Sequence, residues 1–129
     1  MPNILIVDDS PTIRRMVRAA LGIVAGSTFV EASSGLEAIE RLALHDIDLM
    51  VLDLNMPDMH GVEVLGFVRA QKKYSLLPIL VLTTRGDEAS RSAALAAGAT
   101  AFMTKPFTPA DLAARARDLL RLPSASERA

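Results

Sequence analysis

The chain has 129 residues, 50% of them apolar, which suits one domain with its own hydrophobic core rather than two smaller ones. Its 14 Lys and Arg against 15 Asp and Glu leave a net charge of -1, so no diffuse attraction to nucleic acid or to an anionic membrane is expected. With no cysteine, the chain has no disulfide framework, no thiolate nucleophile and no sulfur-ligated zinc.

Ile4 to Val7 is an unbroken apolar run that stops at Asp8-Asp9 and reads as a strand. No basic stretch precedes it and it is far too short for a signal peptide or a membrane span, so the chain is read as cytoplasmic. Ser10 offers an N-cap and Pro11 fits a first helical turn, opening a helix with Ile13, Met16, Val17, Ala20 and Leu21 on one face. Thr28 to Ala32 is a weaker, more polar strand placed nearer an edge. A second helix runs from Gly35 to Leu44, with Leu36, Ile39 and Leu42 inward and Glu37 and Arg41 paired at i, i+4 outside. Leu49 to Leu52 reads as a central strand, and a third helix from Val62 to about Ala70 buries Val62, Leu65 and Val68.

Ile79 to Leu82 is the third unbroken apolar run. The helix after it, Asp87 to Ala97, is mostly alanine with Leu95 as its one large apolar residue. High propensity with little to anchor it predicts the most loosely held helix of the chain. Thr100 to Met103 forms the fifth strand, and a last helix after Thr108-Pro109 places Leu112, Ala116, Leu119 and Leu120 inward. One domain is expected over 1–122, with 123–129 a frayed tail or linker remnant.

Five short apolar runs alternating with helical stretches read as an α/β fold, a doubly wound parallel sheet in a three-layer sandwich. Such sheets gather ligands at the carboxyl ends of their strands. The residues found there are Asp8-Asp9, Asp53, Thr83-Thr84 and Lys105-Pro106, which brings three carboxylates, a hydroxyl and an ammonium to one edge. Crowded carboxylates raise one another's pKa unless a cation joins them. Hard oxygen donors without His or Cys suit Mg²⁺, with a phosphate oxygen as a further ligand.

Asp8-Asp9, Asp53 followed by Asn55-Met56-Pro57 and Gly61, then Thr83, then Lys105-Pro106-Phe107, together resemble the motif set of the receiver domains of bacterial two-component signalling. The similarity is greatest to the single-domain chemotaxis regulators and runs from about Asn3 to Leu122. It implies a flavodoxin-like sheet of five strands in the order 2-1-3-4-5. It also implies that Asp53 accepts a phosphoryl group from phosphohistidine on a histidine kinase. Mg²⁺ would then be bound by Asp9, Asp53 and the backbone carbonyl of Asn55, with Asp8 acting mainly through metal-bound water. Lys105 and Thr83 would contact the phosphoryl group, and Lys105-Pro106 would be a cis peptide.

The domain would be a phosphoacceptor with Mg²⁺-dependent self-phosphorylation and autodephosphorylation rather than an enzyme. Movement of Thr83, Phe102 and the Lys105-Pro106 turn would alter the surface of the fourth helix, fifth strand and fifth helix. Its partner there would be a protein such as a flagellar motor switch or another effector, with no nucleic acid or membrane partner and a monomeric or weakly dimeric state. Phe102 stands where family members often carry tyrosine, so it changes rotamer without a hydroxyl to donate. Arg85 replaces an acidic residue, leaving the lifetime of the phosphorylated form open.

Plainer readings accompany each feature. Asp8-Asp9 also suits a helix cap, Asp53 and Asn55 suit a turn before Pro57, and Gly61 suits a loop position with positive φ. Phe107 is read as core, and His45 and His60, lacking ligand spacing, as surface or loop residues. A nucleotide-binding domain is disfavoured because the first strand leads to Asp-Asp-Ser-Pro and not to a glycine-rich loop. A dehalogenase-like phosphatase would want its acid/base aspartate where Asn55 stands. A binding domain that is never phosphorylated, or one excised from a larger regulator, is the third alternative.

Overall fold

The computed structural model describes residues 2–24 and 26–121. Leu122 and the expected tail over 123–129 lie outside the described residues. Chain order is β1 (Asn3–Val7), α1 (Pro11–Leu21), β2 (Thr28–Ala32), α2 (Gly35–Leu44), β3 (Leu49–Leu52) and α3 (Gly61–Arg69). A single-turn helix at Lys72–Tyr74, which the sequence reading lacked, leads to β4 (Ile79–Thr83), α4 (Glu88–Ala97), β5 (Ala101–Thr104) and α5 (Pro109–Arg121). The strands form one parallel sheet in the order β2-β1-β3-β4-β5, as expected.

Alternate residues along each central strand serve opposite layers. Ile4, Ile6, Leu49, Val51, Leu80 and Leu82 pack with α1 and α5. Leu5, Val7, Met50, Leu52, Ile79 and Val81 face α2, α3 and α4. Burial on both faces is why these runs carry no polar residue. Side-chain caps open three of the helices, the expected Ser10 and two that were not foreseen. Ser10 accepts from the Ile13 N–H, Ser34 from Glu37 and Asp87 from Ser90.

Several inward assignments change. Met16 is 48% exposed and Leu36 64% exposed, while Ala38 takes the buried position on α2. On α3 it is Val64, with Leu65 and Val68, that is buried, and Val62 lies at the surface. Helical spacing identifies an apolar arc, but where the arc is centred depends on which neighbour covers it. Glu37 does lie 3.8 Å from Arg41, yet its shorter bonds run to the Ser33 N–H and hydroxyl. Those bonds hold its carboxyl below the usual range. α4 buries a single residue, Ala94, and Leu95 is 37% exposed. Among the described residues no helix is long and apolar enough to cross a membrane.

Candidate functional site

Ladder hydrogen bonds continue one residue beyond the strands and fix the direction in which their carboxyl ends emerge. The Asp8 N–H donates to the Ala32 carbonyl at 3.1 Å, Asp53 to Val7 at 3.0 Å and Lys105 to Thr83 at 2.8 Å. Each residue that closes a strand is thereby aimed at the same edge. Among the described residues the buried polar or charged side chains are Asp8, Asp53 and Thr83, exposed by 4%, 5% and 0%. Asp9 sits at the exposed mouth.

Lys105 Nζ lies 2.6 Å from Asp8 Oδ2 and 3.7 Å from Asp53 Oδ1. Asp8 Oδ1 also accepts from the Ser10 N–H at 2.9 Å. Burial pushes the Asp53 carboxyl above its ordinary range, and the charge of Asp8 adds to that push. Lys105, the Asn55 N–H and the Thr83 hydroxyl act the other way without cancelling it. Asn55 Nδ2 approaches Thr83 Oγ1 at 3.5 Å, and the Arg85 N–H donates to the same oxygen at 3.3 Å.

Carboxylate oxygens of Asp8, Asp9 and Asp53 come within 4.8 Å of one another. Three carboxylates and one ammonium leave an excess of two negative charges, two of the acids being buried. That excess equals the charge of one divalent cation, and an all-oxygen donor set suits Mg²⁺. The residues present therefore fit the metal.

The sequence-predicted residues Asp8, Asp9, Asp53, Asn55, Thr83 and Lys105 all gather at this edge, and Lys105-Pro106 is the cis peptide bond. Phe102 stands apart, half-buried beside Gly86, Met103 and Pro106 at a cavity of about 410 Å³. Gly61 departs from its expected role, because its φ is not positive. A Cβ at Gly61 would stand 2.6 Å from Leu54 Cα and 2.7 Å from the Asp53 carbonyl, so it is close backbone approach that requires glycine. His60 gains a structural account as the N-cap of α3, where its N–H donates to Glu63 at 3.3 Å.

Two contributors escaped the sequence reading. Asp58 accepts from the Gly35 and Leu36 N–H groups, at 3.1 and 3.2 Å, tying the loop after β3 to the start of α2. Desolvation pushes its carboxyl up, but these bonds together with those from the Asp58 and Met59 N–H groups hold it below the ordinary range. Arg14 grips the Asp8 carbonyl from α1. The Asp58 pairing joins residues that only the fold brings together, and the Arg14 bond, though it spans six residues, ends on a backbone carbonyl that no sequence motif marks.

The family model of the response regulator receiver domain matches residues 4–117. The chain is 40% identical over 119 residues to a chemotaxis protein CheY homolog of Campylobacter jejuni, covering 92% of both chains. It is 40% identical over 126 residues to the KDP operon transcriptional regulatory protein KdpE of Escherichia coli, spanning 98% of this chain and 54% of that one. The solved chemotaxis response regulator CheY4 of Vibrio cholerae superposes with a TM-score of 0.85 at 37% identity, over 92% of this chain and 98% of that chain. With the fold, the acidic strand ends and these matches in agreement, the chain belongs to the response regulator receiver domains, CheY-like modules of two-component signalling.

Proposed function

We propose that this chain is a cytoplasmic phosphorelay receiver that takes a phosphoryl group from a histidine kinase onto Asp53 and thereby controls a protein partner. The observation that carries the reading is the burial of Asp53 at 5% exposure, within 3.7 Å of Lys105 and beside Asp8 and Asp9. A carboxylate placed there is shielded from bulk water, in a site whose excess negative charge calls for a cation before a phosphoryl group can enter. Asp9, Asp53 and the Asn55 carbonyl would hold Mg²⁺, with Asp8 acting through metal-bound water, and the ion would supply positive charge toward the phosphoryl oxygens.

The chain's own groups do the remainder by positioning and electrostatics. An oxygen of Asp53 attacks phosphorus as the bond to the donor imidazole breaks. The Lys105 ammonium, already 2.6 Å from Asp8, lies close enough to share its charge with the arriving group. The Thr83 hydroxyl donates to a phosphoryl oxygen, and its present contacts with Asn55 and Arg85 give way. Thr83 closes β4 and leads into α4, so its movement displaces a helix that buries only Ala94. Phe102 and the Lys105-Pro106 turn follow, which changes the face formed by α4, β5 and α5. By analogy with the chemotaxis relatives, that face meets a motor-switch or other effector protein.

Acetyl phosphate with Mg²⁺ should add one phosphoryl mass to the intact protein, and a beryllofluoride complex should bind it, while Asp53→Asn takes up neither. Equal labelling of the two proteins would remove Asp53 from the mechanism.

A further inference from the structure

Arg14 lies on α1, outside the strand-end cluster, yet its Nη1 reaches back six residues to donate to the Asp8 carbonyl at 2.7 Å. Its Nε is held at the same time by Glu31 Oε1 at 2.9 Å, with the Arg14 side chain only 17% exposed. Arg18 Nη1 takes the other Glu31 oxygen at 3.0 Å. Glu31 belongs to the edge strand β2, so the clasp spans two elements and ends on the backbone of the acidic loop.

Asp8 is thereby held at both ends. Lys105 and the Ser10 N–H take its carboxylate, and Arg14 takes its carbonyl. Asp9 differs, because it is exposed and among the described residues its carboxylate accepts no protein hydrogen bond. With no side-chain partner, Asp9 depends on the backbone that carries it for the place from which its carboxylate starts. The peptide plane that joins Asp8 to Asp9 is the one whose oxygen Arg14 grips.

We propose that Arg14, braced by Glu31, is a positioning residue for the metal site. It fixes the Asp8–Asp9 peptide so that the Asp9 carboxylate is aimed before the metal arrives. Glu31 has a second effect, because it keeps the guanidinium occupied. A released guanidinium carries five donors in a planar fork and a permanent charge, and would turn to the nearby carboxylates as a competing cation. The inference rests on the reading of Asp8, Asp9 and Asp53 as a Mg²⁺ site.

The test is calorimetric titration of Mg²⁺ into the metal-free full chain at fixed ionic strength, with the thermal midpoint recorded in parallel. Arg14→Met and Glu31→Gln should each weaken Mg²⁺ binding about tenfold, the usual scale for partners that orient metal ligands. Arg14→Lys keeps the charge but cannot hold both Asp8 and Glu31, and should weaken binding as well. Arg115→Ala removes an exposed cation on α5, outside the clasp, and should bind as the wild type does. If Arg14→Met does not fold, Glu31→Gln and Arg14→Lys decide the matter. Lowered thermal midpoints with unchanged Mg²⁺ affinity would reduce the clasp to a structural tether and overturn the proposal. A wild type that binds Mg²⁺ no better than Asp9→Asn would overturn the metal site as well.

Discussion

The last two helices pack on opposite faces of the sheet and differ sharply in anchorage. α5 buries Leu112, Ala113, Ala116 and Leu119 against β1, β3, β4 and α1. α4 buries Ala94 alone, and the loop leading into it carries Thr83's neighbours Arg85 and Gly86. Nearly all of α4 is helix-forming residue rather than core, so its turns hold together while its seat on the sheet is shallow. The chain thus seats α5 deeply and α4, which follows Thr83, only lightly.

Core truncation gives the largest expected effect. Leu112→Ala removes a fully buried side chain and should lower the unfolding free energy by about 2–5 kcal/mol in a denaturant titration. Leu95→Ala, at a position 37% exposed, should lower it by less than about 1 kcal/mol. Equal losses would erase the contrast between the helices. Native-state amide exchange sharpens it further, since amides of α4 should open at lower free energy than those of α5. Matching protection in both helices would mean that α4 is no looser than its neighbour.

A smaller effect is expected at the site itself. The Asp53 carboxyl is raised in the fold, chiefly by burial, so its charged form is disfavoured there relative to the unfolded chain. In metal-free protein the ionised carboxylate therefore subtracts stability above the unfolded pKa, and the deficit disappears as pH falls through the raised folded pKa. Asp53→Asn should accordingly raise the thermal midpoint at neutral pH and lose that advantage in acid. A variant less stable than the wild type at neutral pH would show that Lys105 outweighs burial.

Asp8, Asp53, Thr83 and Lys105 were legible because each closes or follows an apolar run, and a parallel sheet brings all such positions to one edge. The cap of α1 is Ser10 and not Asp8 or Asp9, and Asp8 and Asp53 are withdrawn from water to 4% and 5% exposure, which a turn former does not require. Gly61 was noticed for the wrong reason, because the contact that excludes a Cβ lies across the loop at Leu54 and not in its own torsion. Arg14 and Glu31 were invisible for a related reason. Seventeen residues separate them, and nothing in either local segment marks the pairing.

What the amino-acid order determined by itself is the ladder of elements and the chemistry at their ends. Strands β2 and β3 and helix α2 fall where local apolar runs and helical spacing put them. Only the tertiary structure decided which apolar residues are covered, putting Ala38 and Val64 inside and leaving Met16, Leu36 and Val62 in water. It also decided how the acidic loop is braced, through Lys105 on one side and Arg14 with Glu31 on the other. The reason is the same in both cases. Periodicity and capping act over a few consecutive residues, whereas burial and ion pairing depend on what the rest of the chain brings alongside.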